Sequence, residues 1–165
     1  MKHLEIERKF LIHQIPSNLY KFPKYQILQW YFSNFKSKNS RLRKQWNQYF
    51  LTHKSWSWLV RKEKEKEITK SEFNSLRKSV WKIYLNKIRY DIPYKKYLIQ
   101  LDIYQWKLTW LISVEIEFPN INQSQSFPIP KRFGIELTQF SRAKNSYLAK
   151  NWICLKLKKL ISSKS

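Results

Sequence analysis

The scarce acidic residues of this chain stand in short alternating sets, and these are the residues whose spacing could do chemistry. The 165 residues include 33 Lys and Arg but only 11 Asp and Glu. Most of the acids fall into three sets, namely Glu5/Glu7, Glu63/Glu65/Glu67 and Glu115/Glu117. Because alternate residues of a β-strand project to one face, each set would place its carboxylates side by side. Hard divalent cations prefer carboxylate oxygens, so acids paired in this way among many bases favour a metal ion held against phosphate.

Basic residues repeat the same alternating pattern elsewhere in the chain. The pairs are Arg41/Arg43 and Lys87/Arg89, with Lys54 and Asp102 on neighbouring predicted strands. The opposite faces carry apolar residues: Ile6, Leu42, Ile88, Leu101, Ile103, Val114 and Ile116. If the apolar faces pack outward against helices, the charged faces line an interior that holds both signs of charge. Burying so many charges is unfavourable unless they meet one another and a ligand of matching charge. A polyphosphate that carries a divalent metal ion meets both conditions.

Composition bounds the class of protein and its partners. The net charge of +22 predicts a polyanionic partner, such as nucleic acid, a phospholipid surface or a phosphorylated small molecule. With 42% hydrophobic residues, the chain is expected to fold as one domain. The single cysteine, Cys154, allows no internal disulfide and suits a reducing compartment. No apolar run has the length of a membrane span or of a signal-peptide core, so we expect a cytoplasmic protein.

The pattern of residues predicts eight strands and two helical pieces. Strands are predicted over 4–12, 25–32, from 41 onward, and over 49–54, 59–67, 83–91, 97–104 and 111–118, with a hairpin turn at 45–48. Thr69 with Glu72 three residues on predicts a capping box and a helix to about Ser79. A Pro-, Ser- and Gln-rich linker is expected over 119–130, followed by a helical region over 137–149. Short connections imply antiparallel pairing, and a closed barrel removes the sheet edges. The expected fold class is therefore α+β, an eight-stranded antiparallel β-barrel (tunnel) with flanking helices.

The alternating blocks resemble the signature of the CYTH, or triphosphate tunnel metalloenzyme, superfamily. Glu5-x-Glu7-x-Lys9 matches its ExExK motif, which on its own arises easily in any charged strand. The later blocks follow in the same order: Arg41-x-Arg43, Leu51-Thr52-His53-Lys54, Arg61-x-Glu63-x-Glu65, Lys87-x-Arg89-Tyr90, Asp102, Glu115-x-Glu117 and Gly134-x-Glu136-x-Thr138. The resemblance spans nearly the whole chain and implies a triphosphate tunnel domain over 1–150 with a basic tail over 151–165.

This resemblance implies Mg²⁺- or Mn²⁺-dependent hydrolysis of a triphosphate, such as inorganic tripolyphosphate, by a small bacterial-type triphosphatase. The phosphate oxygens would be held by Lys9, Arg41, Arg43, Lys54, Arg61, Lys87 and Arg89. The implied metal ligands are Glu5, Glu7, Glu63, Glu65, Asp102, Glu115 and Glu117. Glu5 or Glu7 would orient the attacking water, and either Lys54 or Lys87 would give a proton to the leaving group.

Other functions stay open at the level of sequence. Within the superfamily the alternatives are thiamine triphosphatase and class IV adenylate cyclase, since the triphosphate end of the substrate is common to all. A rival from another class is a non-catalytic module that binds nucleic acid or polyphosphate, which rests on the net charge of +22. As partners we expect a triphosphate small molecule and no membrane, with nucleic acid only as a secondary electrostatic contact. The oligomeric state stays open.

The counts of tryptophan and glycine are unusual. The chain has eight Trp and one Gly, whereas ordinary usage of about 7% would give roughly a dozen glycines. Several tryptophans stand in predicted turns, such as Trp46 beside Asn47, where glycine is favoured because the backbone needs a positive φ. We therefore predict that the gene uses UGA as a glycine codon and that these tryptophans lie exposed, mostly on loops and outer faces.

Overall fold

The computed structural model describes residues 3–4, 6–32, 40–57 and 60–151. Side chains are described for all of these residues except 3–4, 54–57, 60–62 and 81. The predicted metal ligand Glu5 and nearly all of the predicted tail therefore lie outside the described residues, as do the side chains of Lys54 and Arg61.

Ten strands of the described residues form one antiparallel sheet. They are β1 (His3–Leu4), β2 (Ile6–Ile12), β3 (Lys24–Phe32), β4 (Ser40–Gln45), β5 (Gln48–Ser57), β6 (Val60–Ile68), β7 (Val80–Tyr94), β8 (Tyr97–Tyr104), β9 (Ile112–Phe118) and β10 (Phe133–Glu136). Their order in the sheet is β1-β6-β5-β4-β3-β7-β8-β9-β2-β10. All eight predicted strands are present, the first of them as β1 and β2 together, and the antiparallel prediction is confirmed. The short strand β10 is additional to those predicted.

The N-terminal segment pairs with strands near both ends of this strand order. β1 pairs with β6, with His3 opposite Glu63, while β2 pairs with β9, with Glu7 opposite Glu117 and Lys9 opposite Glu115. Only one residue separates β1 from β2. The run of strands from β6 to β9 therefore begins and ends beside the same segment, an arrangement that is consistent with a tunnel fold.

Tight two-residue turns join the long hairpins. Trp46 and Asn47 connect β4 to β5, and Lys95 and Lys96 connect β7 to β8. The first residue of each turn has a positive φ, 55° at Trp46 and 54° at Lys95. This left-handed conformation costs an ordinary L-residue about 1–2 kcal/mol, so both turns are strained by their side chains. The predicted turn at 45–48 is confirmed.

Within the part of the chain that the structure describes, three short helices lie against the sheet: α1 (Lys70–Leu76), α2 (Ile121–Gln125) and α3 (Asn145–Asn151). The predicted capping box is confirmed, because the Glu72 amide donates to the Thr69 hydroxyl and the Thr69 amide donates to the Glu72 carboxylate. Helix α1 ends at Leu76, and a 3₁₀ turn continues to Ser79.

Two predictions for the C-terminal third were wrong in part. Helix α2 lies within the segment predicted to be a linker, and Asn120 caps it by accepting from the Gln123 amide. The segment predicted to be helical from 137 begins helix α3 only at Asn145. The physical reason is that the Leu137 amide donates to the Lys9 carbonyl at 2.7 Å, which holds this part of the chain against strand β2.

Separate apolar clusters lie on the two faces of the sheet. Helix α1 covers one outer cluster through Phe73, which packs on Trp30. A second outer cluster includes Phe10, Leu101, Val114, Ile116 and Phe118. The residues of α3 pack instead on Leu11, Tyr31, Leu85 and Tyr104. Leu11, Leu85 and Tyr104 each stand two positions from a predicted site residue on the same strand, and Tyr31 lies opposite Arg41. The charged face therefore has an apolar boundary at the side of α3.

The tryptophan prediction was correct for two side chains and wrong for a third. Trp46 is 66% exposed and Trp106 is 57% exposed, whereas Trp30 is only 6% exposed. Trp30 is buried because it lies on the outer face of β3, beneath α1. Within the described residues, no helix is both long and apolar enough to cross a membrane.

Candidate active site

Five charged side chains on β2, β7, β8 and β9 form a group that we call the buried ion cluster. Its members are Lys9, Lys87, Arg89, Asp102 and Glu115. Asp102 is fully buried and accepts from Lys87 Nζ at 2.5 Å and from Arg89 Nε and Nη2, each at 2.7 Å. Glu115 accepts from Lys9 Nζ at 3.0 Å and from Arg89 Nη2 at 2.5 Å. The period-two alternation of the strands creates this cluster, because each member faces the same side of the sheet.

A second group, the β4–β6 ion cluster, consists of Arg41, Arg43, Thr52, Glu63 and Glu65. Arg41 Nη2 donates to Glu63 at 3.0 Å, and Arg43 Nη2 donates to Glu65 at 2.5 Å. The Thr52 hydroxyl, which is fully buried, donates to Glu65 at 2.6 Å. The Nε of Arg43 is buried without a hydrogen-bond partner among the described residues.

The two clusters share one electrostatic environment although they stand on different strands. Burial lowers the pKa of Arg43 most, and Arg89 of the buried ion cluster lowers it further. Burial raises the pKa of Glu117 on β9, and the negative charges of Glu7, Glu63 and Glu115 raise it as well. Because Glu63 stands on β6 and Glu117 on β9, these interactions act across the sheet's concave side. The arrangement brings cations and carboxylates from six strands to one site, with the Thr52 hydroxyl of β5 beside them.

Burial and charge act in opposite directions on the innermost groups. Burial lowers the pKa of Lys9, but attraction from Tyr104 and Glu115 outweighs this effect and leaves the pKa raised. Burial raises the pKa of Glu115, but the nearby ammonium and guanidinium groups hold it well below its usual value. Burial and the neighbouring Arg89 together lower the pKa of Lys87 to about 8. Lys9 and Glu115 thus form a permanently charged pair, whereas Lys87 is able to lose a proton near neutral pH.

The chemistry of the remaining carboxylates fits a divalent cation. Glu7 and Glu117 are directly opposite on β2 and β9, and like charges in such a pair destabilise a sheet unless they are neutralised. Burial is the main cause of the raised pKa of Glu117, and the charge of Glu7 raises it further. Among the residues with described side chains, no three His, Cys, Asp or Glu stand close enough together to hold a metal ion.

Most of the predicted site residues with described side chains are brought together. Both clusters consist almost wholly of predicted residues, and Glu7 and Glu117 stand beside them. For two predicted residues only the register is described: Lys54 lies opposite Glu63, and Arg61 lies opposite Trp56. Their side chains, like all of Glu5, lie outside the described residues.

The predicted site residues do not include several polar groups that stand beside them. Tyr104, two positions after Asp102 on the same face of β8, contacts Lys9 through its hydroxyl at 3.0 Å. Asn145 contacts the same ammonium at 3.3 Å. Gln100 accepts from Arg89 at 2.6 Å. The alternation that marked Asp102 could have identified Tyr104 and Gln100, since both share its face, but no local pattern marks Asn145.

The fold and this site define a class of protein: an antiparallel tunnel-type sheet with one face on which cations are interleaved with carboxylates. The sequence matches an inorganic triphosphatase of Nitrosomonas europaea with 36% identity over 149 residues, which is 88% of this chain and 96% of that protein. The chain belongs to the CYTH, or triphosphate tunnel metalloenzyme, superfamily. No family model matches the sequence.

Solved structures agree with this assignment. A crystal structure of an inorganic triphosphatase superposes with a TM-score of 0.65 at 32% identity, covering 89% of this chain and 95% of that one. An adenylyl cyclase-like protein from Hippeastrum, described as having a dominant triphosphatase activity, shares the fold with a TM-score of 0.57 at 15% identity, covering 74% of this chain and 83% of that one. A putative adenylate cyclase from Bacillus halodurans shares it with a TM-score of 0.54 at 17% identity, covering 85% and 98%.

Proposed function

We propose that this protein is a divalent-metal-dependent hydrolase of inorganic triphosphate, acting within a closed tunnel of eight strands. The observation that carries the proposal is the pair of ion clusters, which place cations and carboxylates of six strands on one face of the sheet. Similarity to the Nitrosomonas europaea inorganic triphosphatase supports the choice of substrate. Pairing of β1 with β6 and of β2 with β9 supports closure of the sheet.

Binding of the substrate would exchange ion pairs within the protein for ion pairs with phosphate. Arg41, Arg43 and Arg89 present planar forks that match phosphate oxygens, while Lys9 acts as a point charge. Lys54 and Arg61 are further candidates from the sequence. Each of the four cations with described side chains, Lys9, Arg41, Arg43 and Arg89, is already paired with a carboxylate before the ligand arrives. Because these side chains are ordered beforehand, less conformational entropy is lost when the substrate binds.

Hydrolysis would proceed by attack of water on the terminal phosphorus atom. A carboxylate, Glu7 or Glu5, accepts a proton from this water, and the bridging P–O bond to the leaving pyrophosphate breaks. Lys87 or Lys54 supplies a proton to the departing oxygen, and the two proton transfers balance over one turnover. For Lys87 the support is geometric, because its ammonium lies 2.5 Å from Asp102, inside the cluster that would contact phosphate.

The proposed cofactor is Mg²⁺ or Mn²⁺, which when bound would neutralise phosphate charge and align the oxygens for displacement. Glu7 and Glu117 are its best-supported ligands, with Glu63 and Glu115 nearby, and Glu5 and Glu65 remain candidates from the sequence. Asp102 was predicted as a ligand too. In our proposal it instead holds Lys87 and Arg89 in place, because both of its oxygens accept hydrogen bonds from these cations.

The proposal is tested by phosphate release from inorganic tripolyphosphate, ATP and thiamine triphosphate, each with Mg²⁺, with Mn²⁺ and with a chelator. We expect metal-dependent release, greatest from tripolyphosphate. A non-catalytic binding module would release no phosphate under any of these conditions. The reaction is proposed to take place in the cytoplasm, with nucleic acid contacted only through the basic surface.

A further inference from the structure

The first inference concerns the ammonium of Lys9 and rests on the proposed function. This group has three hydrogen-bond donors. Its neighbours are Glu115 at 3.0 Å, the Tyr104 hydroxyl at 3.0 Å and the Asn145 side-chain oxygen at 3.3 Å. The Tyr104 hydroxyl in turn donates to Asn145 Oδ1 at 2.7 Å. Lys9, Tyr104 and Asn145 therefore form a closed triangle of hydrogen bonds, while Glu115 completes the contacts of the ammonium.

The C-terminal segment also fixes the backbone at this position. The Lys9 amide donates to the Thr138 hydroxyl at 3.0 Å, and the Lys9 carbonyl accepts from the Leu137 amide at 2.7 Å. Asn145 is the first residue of α3, and Leu148 and Ala149 of this helix are fully buried. Both the main chain and the side chain of Lys9 are thus held by residues at least 95 positions away in sequence.

We propose that Tyr104 and Asn145 are positioning residues that hold the Lys9 ammonium at a fixed depth in the site, so that it meets a phosphate oxygen without rearrangement. A lysine carries four flexible methylene groups, and ordering its side chain on binding has an entropic cost. Tyr104 and Asn145 remove that cost beforehand. Both residues are neutral, so they orient the ammonium and leave its charge in place. A further carboxylate would cancel that charge.

The test is a double-mutant cycle on the affinity for tripolyphosphate, with kcat and KM measured separately. Tyr104→Phe retains the buried ring and removes only the hydroxyl. We expect it and Asn145→Ala each to raise KM roughly 5- to 10-fold, a change of the size that one lost hydrogen bond typically gives, with less effect on kcat. In a Lys9→Met background the same two changes should alter KM less than 2-fold. Tyr97→Phe, which removes a hydroxyl bonded to Gln123 outside the site, is the matched control.

The outcomes separate the inference from the function on which it rests. If Lys9→Met raises KM and Tyr104→Phe does not, the positioning role is overturned and the phosphate clamp stands. If Tyr104→Phe has the same effect with and without Lys9, its role is merely structural and the inference is wrong. If Lys9→Met leaves KM unchanged, the proposed role of Lys9 itself fails, and the inference fails with it.

A second inference rests on independent observations about the tryptophans. Three non-glycine residues of the described chain have positive φ, and two of them are tryptophans, Trp46 at 55° and Trp106 at 60°. In two-residue hairpin loops the first position at positive φ favours glycine. The buried indole of Trp30 has an Nε1 with no hydrogen-bond partner among the described residues, an unfavourable state for a buried donor. Glycine would relieve the backbone at Trp46 and Trp106 and would remove the unpaired donor at Trp30.

We infer that glycine is the native residue at the tryptophan positions, encoded by UGA and written here as Trp. Eight tryptophans and one glycine would become nine glycines, close to ordinary usage. The decisive measurement is mass spectrometry of tryptic peptides from the protein in its native cells, together with the eight codons. Glycine masses and UGA codons are expected. UGG codons or tryptophan masses would overturn the inference.

A stability measurement checks the conformational part of this second inference. Trp46→Gly should raise the urea midpoint of unfolding, because glycine adopts the observed φ without strain. Tyr20→Gly is the control, since Tyr20 is also an exposed aromatic residue, at 79%, but does not have a positive φ; its substitution should not raise the midpoint. A lower midpoint for Trp46→Gly would contradict the argument from φ.

Discussion

Asp102 and Lys87 offer a quantitative test of how the buried ion cluster is built. Asp102 is fully buried and accepts three hydrogen bonds, of which one comes from Lys87 and two come from Arg89. Asp102→Asn leaves two buried cations without their shared carboxylate, and removing one partner of a buried ion pair typically costs about 3–5 kcal/mol. Lys87→Met keeps both contacts from Arg89 and removes one charged hydrogen bond, which is worth about 1.5–3 kcal/mol. We therefore expect Asp102→Asn to be the more destabilising change.

The assay is urea denaturation of the metal-free protein, with the free energy of unfolding taken by linear extrapolation. The double variant completes the cycle and should lose less than the sum of the two single losses, because the residues are in contact. Equal losses in the two single variants, or a larger loss for Lys87→Met, would show that Asp102 does not anchor the cluster. In that case its assignment as a metal ligand would regain support.

Three further predictions follow from the contacts described. Arg41→Ala should raise KM for tripolyphosphate roughly 10- to 100-fold, the equivalent of one charged hydrogen bond of about 1.5–3 kcal/mol. The control Arg8→Ala changes an arginine outside the ion clusters and should alter KM less than twofold. An unchanged KM for Arg41→Ala would show that Arg41 does not bind phosphate. The hydrogen bond from Arg8 lowers the pKa of the Glu136 carboxyl. The stability that Arg8 adds is therefore present above the pKa of this carboxyl in the unfolded chain and is lost as pH falls through its pKa in the folded protein. If urea titrations gave the same difference in free energy of unfolding between wild type and Arg8→Met from pH 7 to pH 2, this prediction would be wrong. Thr69→Ala should lower the free energy of unfolding by about 1 kcal/mol without changing kcat, and an unaltered urea midpoint would argue against the capping box.

The sequence was most informative where structure depends on local alternation. A period of two places Lys9 and Arg89 on one face and Phe10 and Ile88 on the other whatever the tertiary context, so the strands and the charged face could be predicted. The capping box of Thr69 is equally local. Closure of the hairpin at Trp46 also follows from short-range signals.

The features that sequence could not supply depend on contacts between distant segments. Asn145 contacts Lys9 from 136 positions away in the sequence, and no sequence pattern predicts a contact between residues so far apart. The segment at Leu137 reads as helical, but a backbone hydrogen bond to β2 holds Leu137 against that strand, and turns follow it in place of a helix. Helix α2 has only five residues, too few to show a helical period, and Trp30 is buried because α1 covers it.

The account depends most directly on the requirement for a metal ion held by Glu7 and Glu117. The decisive measurement is tripolyphosphate hydrolysis as a function of Mg²⁺ concentration for the wild type and for Glu117→Gln, with Glu136→Gln, which changes a carboxylate outside the ion clusters, as control. We expect no hydrolysis in chelator, a higher Mg²⁺ concentration for half-maximal rate in Glu117→Gln, and no change in Glu136→Gln. Hydrolysis that persists in chelator, or a Mg²⁺ dependence unaltered by Glu117→Gln, would contradict the proposed site.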